Sequence, residues 1–418
     1  MTNPEAAAAF QGYEGSRRLL ERARRVIPGG VSSAFRAKSV PVPLYFERAQ
    51  GSRMWDVDGN EYLDYTLAWG PLILGHAHPR ITEAVEAALR RGWLYGAQHE
   101  LEIRVAERLV ELIPCAERVV FSNTGTEAAQ IAFRLARGFT RRSRILRFNG
   151  HYHGWIEPRP DTLLVPWNDL WSFEQTLAQH HDEIAAVILE PILCNGGCIL
   201  PAPGFLESVR AITRQHGVVL IFDEVITGFR VHLNGAQGWS RVTPDLATFG
   251  KAVAGGLPLS VVAGGADILR LIEDGTVLHG GSFNSNPVVL AAAEATLAEL
   301  SRDDGAALEG VRQFGERLMA GLSAAAEKVG LSLEIRGVGS VFKLVFSDED
   351  APADARGLVQ SSEGLLRTWL EAARGQGLNL LPDGRWYVST VHTESDLAET
   401  LQAAGRAFDR AASKPAAR

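Results

Sequence analysis

The chain has 418 residues, 46% of them apolar and 22% charged, with a formal charge of −7. That length exceeds one simple core and implies two domains, or a large α/β body with an appendage. The acidic balance, with no Lys/Arg runs or aromatic stacking platforms, gives no reason to expect nucleic acid, and no apolar run approaches membrane-spanning length.

Met1-Thr-Asn-Pro-Glu-Ala-Ala lacks a basic stretch followed by an apolar core, so no signal peptide is expected and the cytoplasm is the expected location. Residues 12–26 read as an amphipathic helix, stopped by Ile27-Pro-Gly-Gly30. Leu44–Glu47, Met54–Val57 and Glu61–Tyr65 follow as short strands, with Asp58-Gly59 a favoured hairpin turn between the last two. From Pro79 to about Leu300 helical periodicity alternates with buried strands. The helices are Ile81–Trp93, Leu101–Ile113, Glu127–Phe139 and Phe205–His216. The strands are Val119–Phe121, Ile145–Phe148, Ala186–Leu189, Val218–Phe222 and Leu259–Ala263. Strands apolar on both faces and separated by helices argue for a mainly parallel sheet covered on both sides. A long helix follows Pro287, then a strand over Gly337–Phe346 and helices at Gly364–Arg374 and Glu394–Ala411. The expected fold is therefore α/β, with a large domain over residues 76–305 and a small α+β domain built from 1–75 and 306–418. Cys115, Cys194 and Cys198 make an odd count, and Cys194-Asn-Gly-Gly-Cys198 has no second ligand pair, so neither a disulfide framework nor a metal is expected.

Ligands of such sheets bind beyond the carboxyl ends of the strands. Asp223 ends one buried strand, in Val218-Val-Leu-Ile-Phe-Asp223, and Lys251 follows another, in Pro244-Asp-Leu-Ala-Thr-Phe-Gly-Lys251. An amine for a Schiff base and a carboxylate for a ring nitrogen are what pyridoxal phosphate (PLP) requires. A surface lysine and a core aspartate are the plainer alternatives for either residue alone. Phe121-Ser-Asn-Thr124-Gly125-Thr126-Glu is a strand, a small-residue turn and a helix start, where free N–H groups and two hydroxyls suit a phosphate; a simple helix cap is the alternative. His151-Tyr152-His153 follows a further strand. Tyr152 is the candidate to stack on the pyridine, with Val225 against its other face, while two histidines alone make a poor metal site. Asn195, after Glu190-Pro, is either a cofactor hydrogen-bond partner or a turn residue.

Together these stretches resemble the class III, fold-type-I PLP enzymes, and the glutamate-1-semialdehyde aminomutase branch above all. The resemblance runs from Ile27 to about Leu397 and includes Ile27-Pro-Gly-Gly-Val-Ser-Ser-Ala-Phe-Arg36, Trp69-Gly-Pro-Leu-Ile-Leu-Gly-His-Ala-His-Pro79 and Asp223-Glu-Val-Ile-Thr-Gly-Phe-Arg230. It implies that Lys251 forms the Schiff base, that Asp223 pairs with the ring nitrogen and that Gly125-Thr126 holds the phosphate. Gly281-Ser282-Phe-Asn-Ser-Asn-Pro287 matches a segment that reaches the phosphate from the neighbouring subunit, with Ser282 in place of the family's usual threonine. A homodimer with shared active sites is implied.

Two departures bear on activity. The aminomutase has a long loop after its Tyr-His-Gly motif, whereas here Trp155-Ile-Glu-Pro-Arg-Pro-Asp-Thr runs directly into Leu163. It also has a carboxyl-terminal gate glutamate, and Leu381-Pro-Asp-Gly384-Arg-Trp-Tyr-Val-Ser389 offers none. Both omissions favour release of the intermediate, as in an aminotransferase acting on an amine or amino acid and a keto acid, over an intramolecular aminomutase. The Lys251 amine, once freed by the donor, is the expected carrier of the Cα proton. Arg36 is the candidate carboxylate clamp, with Trp69, Trp155 and Trp386 as candidate walls for a β- or aryl-substituted substrate. A racemase or lyase could use the same lysine and aspartate.

Overall fold

In the computed structural model, which describes residues 10–156, 161–347 and 362–413, the chain divides into two units. The smaller is drawn from residues up to Trp69, Gly75–Ala77 and residues from Gln313 on; the larger comprises Gly70–Leu74 and His78–Arg312.

The amino-terminal part of the smaller unit holds α1 (Glu14–Arg24) and three strands, β1 (Phe46–Gln50), β2 (Arg53–Asp56) and β3 (Glu61–Asp64). β2 and β3 form an antiparallel hairpin with Trp55 opposite Glu61. The turn aspartate also caps a helix: Asp58 accepts the Gly15 and Ser16 N–H groups at 2.5 and 3.0 Å. These are first-turn donors of α1, which the helix itself leaves without acceptors.

The larger unit runs α2 (Pro79–Leu89), α3 (Glu100–Leu112), β4 (Arg118–Ser122), α4 (Gly125–Thr140), β5 (Arg144–Phe148), β6 (Thr162–Val165), α5 (Leu170–His180), β7 (Ile184–Leu189), α6 (Phe205–Gln215), β8 (Val219–Asp223), α7 (Gly235–Ser240), β9 (Leu246–Phe249), β10 (Ser260–Gly264), α8 (Ala266–Glu273) and α9 (Pro287–Leu300). Its seven strands form one sheet in the order β4-β10-β9-β8-β7-β5-β6. The contiguous strands β6, β5, β7, β8 and β9 are parallel, and β10 runs against both of its neighbours. The fold is thus α/β, as expected. Every residue of β7, β8, β9 and β10 is buried, which explains their unbroken apolar runs. One layer over the sheet is set by α4 and α8, where Ala128, Ala132, Phe133 and Ile268 pack with Ile188, Ile221 and Leu246 in one core. The alanines let α4 lie close to the strands.

The chain then continues through α10 (Ala306–Glu327) to β11 (Leu333–Val338), β12 (Val341–Phe346), α11 (Glu363–Arg374), β13 (Leu378–Asn379), β14 (Arg385–Tyr387) and α12 (Glu394–Ala412). In the smaller unit β13 adds to β3 in parallel, completing the sheet β1-β2-β3-β13, while β11-β12-β14 is a separate antiparallel sheet. An aromatic cluster fills this unit: Trp386 lies 5.6 Å from Phe342 and 4.7 Å from Tyr65 between ring centroids, and Trp369 lies 5.2 Å from Phe408.

The helix expected after Pro287 runs to Leu300, after which Asp303, Asp304 and Gly305 adopt φ of 47°, 54° and 83°; the Ser-Arg-Asp-Asp-Gly run is turn chemistry. One expected strand is divided in the structure. Residues Gly337–Phe346 are not one strand but the end of β11, a turn at Gly339-Ser340 and β12. That turn packs on α10 so tightly that a Cβ on Gly315 would overlap the Gly339 carbonyl.

Candidate active site

β5, β7, β8 and β9 run the same way, and β4 joins them through the reversed β10, so all five carboxyl ends lie along one edge of the sheet. That edge is where an open α/β sheet binds ligands.

At the end of β4 a chain of hydroxyls fixes the turn into α4. Ser122 and Ser260 share a 2.7 Å hydrogen bond, and Ser260 donates to the Thr124 carbonyl at 2.7 Å. Thr124 is the N-cap: its hydroxyl accepts the Glu127 N–H at 3.2 Å, while Glu127 Oε2 accepts the Thr124 and Asn123 N–H groups at 3.1 and 2.7 Å. This reciprocal arrangement is a capping box. The Thr124 hydroxyl thus caps the helix, the plainer of the two roles read from the sequence, through its acceptor side alone, which leaves its O–H able to donate. By helix geometry the Gly125 and Thr126 N–H groups have no carbonyl of α4 to bond, and they stand at the positive end of its dipole. A Cβ on Gly125 would come 3.0 Å from Val225 Cγ2, and one on Gly154 2.7 Å from Thr126 Oγ1. A Cβ on Gly250 would lie 3.5 Å from Val225 Cγ1. Glycines thus bring the α4 turn, Val225, the 153–154 segment and the residue before Lys251 into mutual contact.

Asp223 closes β8 and pairs across to Thr248 of β9. Its Oδ2 lies 2.7 Å from His153 Nδ1, and its Oδ1 accepts the Val225 N–H at 3.2 Å. An ionised carboxylate only accepts, so His153 Nδ1 is the donor. His153 Nε2 is buried and meets no protein hydrogen-bond partner among the described residues. In the His-x-His pair, His153 Nδ1 serves Asp223 and His151 Nδ1 accepts the Glu190 N–H at 2.8 Å. Burial, then the nearby His153 and Arg147, hold the His151 pKa well below its usual value, so His151 is neutral. Lys251 begins the short helical turn after β9, half-buried, with a φ of 46°. A lysine in the left-handed region is a strained position, of the kind that clusters at functional sites.

Three members of this edge carried no clear sequence signal. Glu190, 3% exposed, accepts the Tyr152 N–H at 2.8 Å and the Asn195 N–H at 3.1 Å. Asn195, expected beside a cofactor, thus also faces this carboxylate. Arg147 of β5 is the cation of the cluster: burial lowers its pKa, while the charges of Asp223 and Glu190 oppose that shift. His153 stood in the sequence only as half of an unconvincing metal pair. Tyr152 is 39% exposed, and its phenol pKa is raised by burial and by Asp223.

Ser282 is exposed on a turn whose Asn284 accepts from Asn123 Nδ2 at 3.1 Å, next to the α4 turn of the same chain. Trp155 is 79% exposed, and residues 157–160 of the shortened segment lie outside the described residues. Arg36 and Trp69 belong to the smaller unit, where Arg36 is exposed and Trp69 lies 5.8 Å from Phe35. Trp386 is not a pocket wall. It is fully buried in the aromatic cluster of the smaller unit, because β14 turns it toward Phe342 and away from solvent. The segment Leu381–Ser389, which offers no gate glutamate, presents Arg385, 3% exposed and 5.9 Å from the Trp69 ring centroid.

An amine, a hydrogen-bonded carboxylate, a helix amino terminus with a threonine hydroxyl and an aromatic side chain at one sheet edge fit the cofactor expected from the sequence. No three His, Cys, Asp or Glu side chains among the described residues could hold a metal ion.

Comparison with known proteins points to one family. A curated glutamate-1-semialdehyde 2,1-aminomutase 2 of Exiguobacterium sibiricum is 40% identical, over 94% of this chain and 96% of its own. Among solved structures, an omega-transaminase from Sphaerobacter thermophilus superposes with a TM-score of 0.88 at 33% identity, covering 98% of both chains. A transaminase with PLP bound gives 0.88 at 29% identity, over 96% and 98% of the two chains. A beta-phenylalanine aminotransferase from Variovorax paradoxus gives 0.87 at 30% identity, over 94% and 93%. The family model for aminotransferase class-III matches residues 34–157 and 158–408, and the chain belongs to that family.

Proposed function

We propose that the protein is a PLP-dependent aminotransferase that moves an amino group from an amine or amino acid, β- or aryl-substituted, to a keto acid. The observation that carries this reading is the pair of strand ends β8 and β9, which deliver a histidine-anchored Asp223 and a strained Lys251 from adjacent strands.

PLP, when bound, supplies an aldehyde that captures amines and a protonated ring that draws electrons from the substrate Cα–H bond. Asp223 would accept the ring N–H, and His153 fixes the carboxylate that would do so. The Gly125 and Thr126 N–H groups and the Thr126 hydroxyl would hold the phosphate, with Tyr152 and Val225 beside the ring. The Lys251 amine, freed by the donor, would take the proton from the substrate Cα and hold it for return, as a positioned general acid–base. Arg36 grips a substrate carboxylate. Two copies share the sites, Ser282 of each serving the other's phosphate; the exposed Trp93, Leu278 and Phe283 are consistent with a covered surface.

Transfer is preferred over isomerisation because residues 149–161 alone connect β5 to β6 and the segment Leu381–Ser389 offers no gate glutamate, holding a buried Arg385 instead. The aminomutase reading is the second one, favoured by the relative at 40% identity. A panel of amines and amino acids with pyruvate or 2-oxoglutarate separates the two. Turnover that requires a keto-acid acceptor supports transfer, whereas turnover of an amino-aldehyde without an acceptor supports isomerisation. Lys251→Ala is expected to abolish both turnover and borohydride labelling, and retained turnover refutes the assignment of Lys251.

A further inference from the structure

Glu190 follows the last residue of β7 and is 3% exposed, yet it is in contact with two separate strand-end loops. Oε1 accepts the Tyr152 N–H at 2.8 Å, in the loop after β5, and Oε2 accepts the Asn195 N–H at 3.1 Å, in the loop after β7. Its own N–H donates to His151 Nδ1 at 2.8 Å, so one residue holds both Tyr152 and the residue before it. Burial raises the Glu190 pKa, with Asp223 adding to that rise, while His153 and the bonds from Tyr152 and Asn195 pull it down. A carboxylate in such a place is costly unless both oxygens are matched. Matching them here takes two acceptors facing two donors, which a carboxylate provides and an amide does not.

Tyr152 is 39% exposed, and its backbone anchoring contributes to where its ring stands. We propose that Glu190 is a positioning residue: by clamping the backbones of Tyr152 and Asn195 it sets how the Tyr152 ring lies on the cofactor. This role rests on the PLP reading above.

Wild-type protein and Glu190→Gln, both reconstituted with PLP, are compared in three ways: cofactor dissociation constant, induced circular dichroism of the cofactor band, and amide hydrogen exchange over residues 149–156 and 190–196. In the variant, the side-chain amide turns N–H toward one of the two backbone donors. The expected result is cofactor binding weakened by about tenfold or more, the worth of one hydrogen bond to a charged group, with diminished dichroism and faster exchange at Tyr152 or Asn195. Borohydride still labels Lys251 in both proteins, which separates a misplaced ring from a lost site. Wild-type affinity, dichroism and exchange in the labelled variant overturn the proposal. Absence of label in the wild type overturns the PLP reading itself and this role with it. Should Glu190→Gln not fold, exchange in the wild type without cofactor decides: Tyr152 and Asn195 amides as fast as in an open loop overturn the clamp, and slow ones support it.

Discussion

Both units bury carboxylates, and they treat them differently. In the smaller unit Asp64 is fully buried and accepts five hydrogen-bond donors: Thr66 N–H, Thr66 hydroxyl and Asn379 Nδ2 on Oδ1, Leu67 N–H and His76 Nε2 on Oδ2. Burial alone raises its pKa, yet His76 and Thr66 more than offset that, and the net shift is downward. In the larger unit Glu224 accepts from Thr227, Ala236 and Gln237, and burial still pushes its pKa up to about 7. Glu190 is raised as well. A carboxylate's fate in the interior is thus set by how well its donors offset the loss of water. The smaller unit saturates its acid, whereas the sheet edge of the larger unit holds several acids close together and stabilises their charge less completely. The first arrangement fastens a turn. The second brings the protonation of Glu224 into the neutral pH range.

Removing the saturated acid has the largest expected effect on stability. Asp64→Ala leaves buried donors from Thr66, Leu67, His76 and Asn379 without their acceptor, and a loss of about 3–5 kcal/mol is expected. A urea-unfolding midpoint close to that of the wild type contradicts the saturation argument.

Glu224 tests the other half. Its folded-state pKa of about 7 lies above the ordinary glutamate value of 4.5, so between those values the native state binds the extra proton. Stability therefore falls as pH rises from about 4.5 through about 7, by on the order of 3 kcal/mol. Glu224→Gln removes the titration and flattens that slope. Unfolding free energies measured at pH 5 and pH 8 in both proteins check it, and equal slopes would falsify the pKa assignment.

His153→Leu leaves Asp223 without its imidazole donor. A loss of about tenfold or more in kcat/KM is expected from one charge-assisted hydrogen bond, with a shift in the pH profile that a purely structural substitution does not produce. An unchanged profile removes His153 from the site.

Much of this is legible in the sequence because the larger unit repeats one signal. Buried strands such as Val219–Asp223 are apolar until their last residue, their ends fall at polar residues, and the helices between them keep a regular period. Lys251 and Asp223 can be found because each marks the end of such a strand. Glu190 and Arg147 cannot, since a glutamate before a proline or an arginine within a strand reads as an ordinary surface residue until a neighbouring strand is laid beside it. Their roles depend on the order β8-β7-β5, which no local pattern encodes. Trp386 reads as a pocket wall for a related reason: aromatic content marks a core and a pocket alike, and only the pairing of β14 with β12 decides between them. The break at Gly339-Ser340 is local turn chemistry set inside an apolar run, and it packs against Gly315.

The smallest expected effect separates two threonines that the sequence treats alike. Thr124 spends its hydroxyl on the Glu127 N–H as the cap of α4, whereas Thr126 sits one residue inside the helix, with its hydroxyl against the 153–154 segment. Thr124→Ala therefore lowers stability by about 1 kcal/mol, the usual cost of a lost N-cap, and leaves cofactor affinity nearly unchanged. Thr126→Ala does the reverse: stability moves little, because alanine is a good helix former, and cofactor affinity falls through loss of a phosphate hydrogen bond. Thermal unfolding and PLP titration of the two variants give a crossed pattern if the capping role and the phosphate role are divided this way. If Thr124→Ala instead weakens the cofactor as much as Thr126→Ala does, the helix start acts as one unit, and the contrast between a fastening group and a ligand group does not extend down to neighbouring residues.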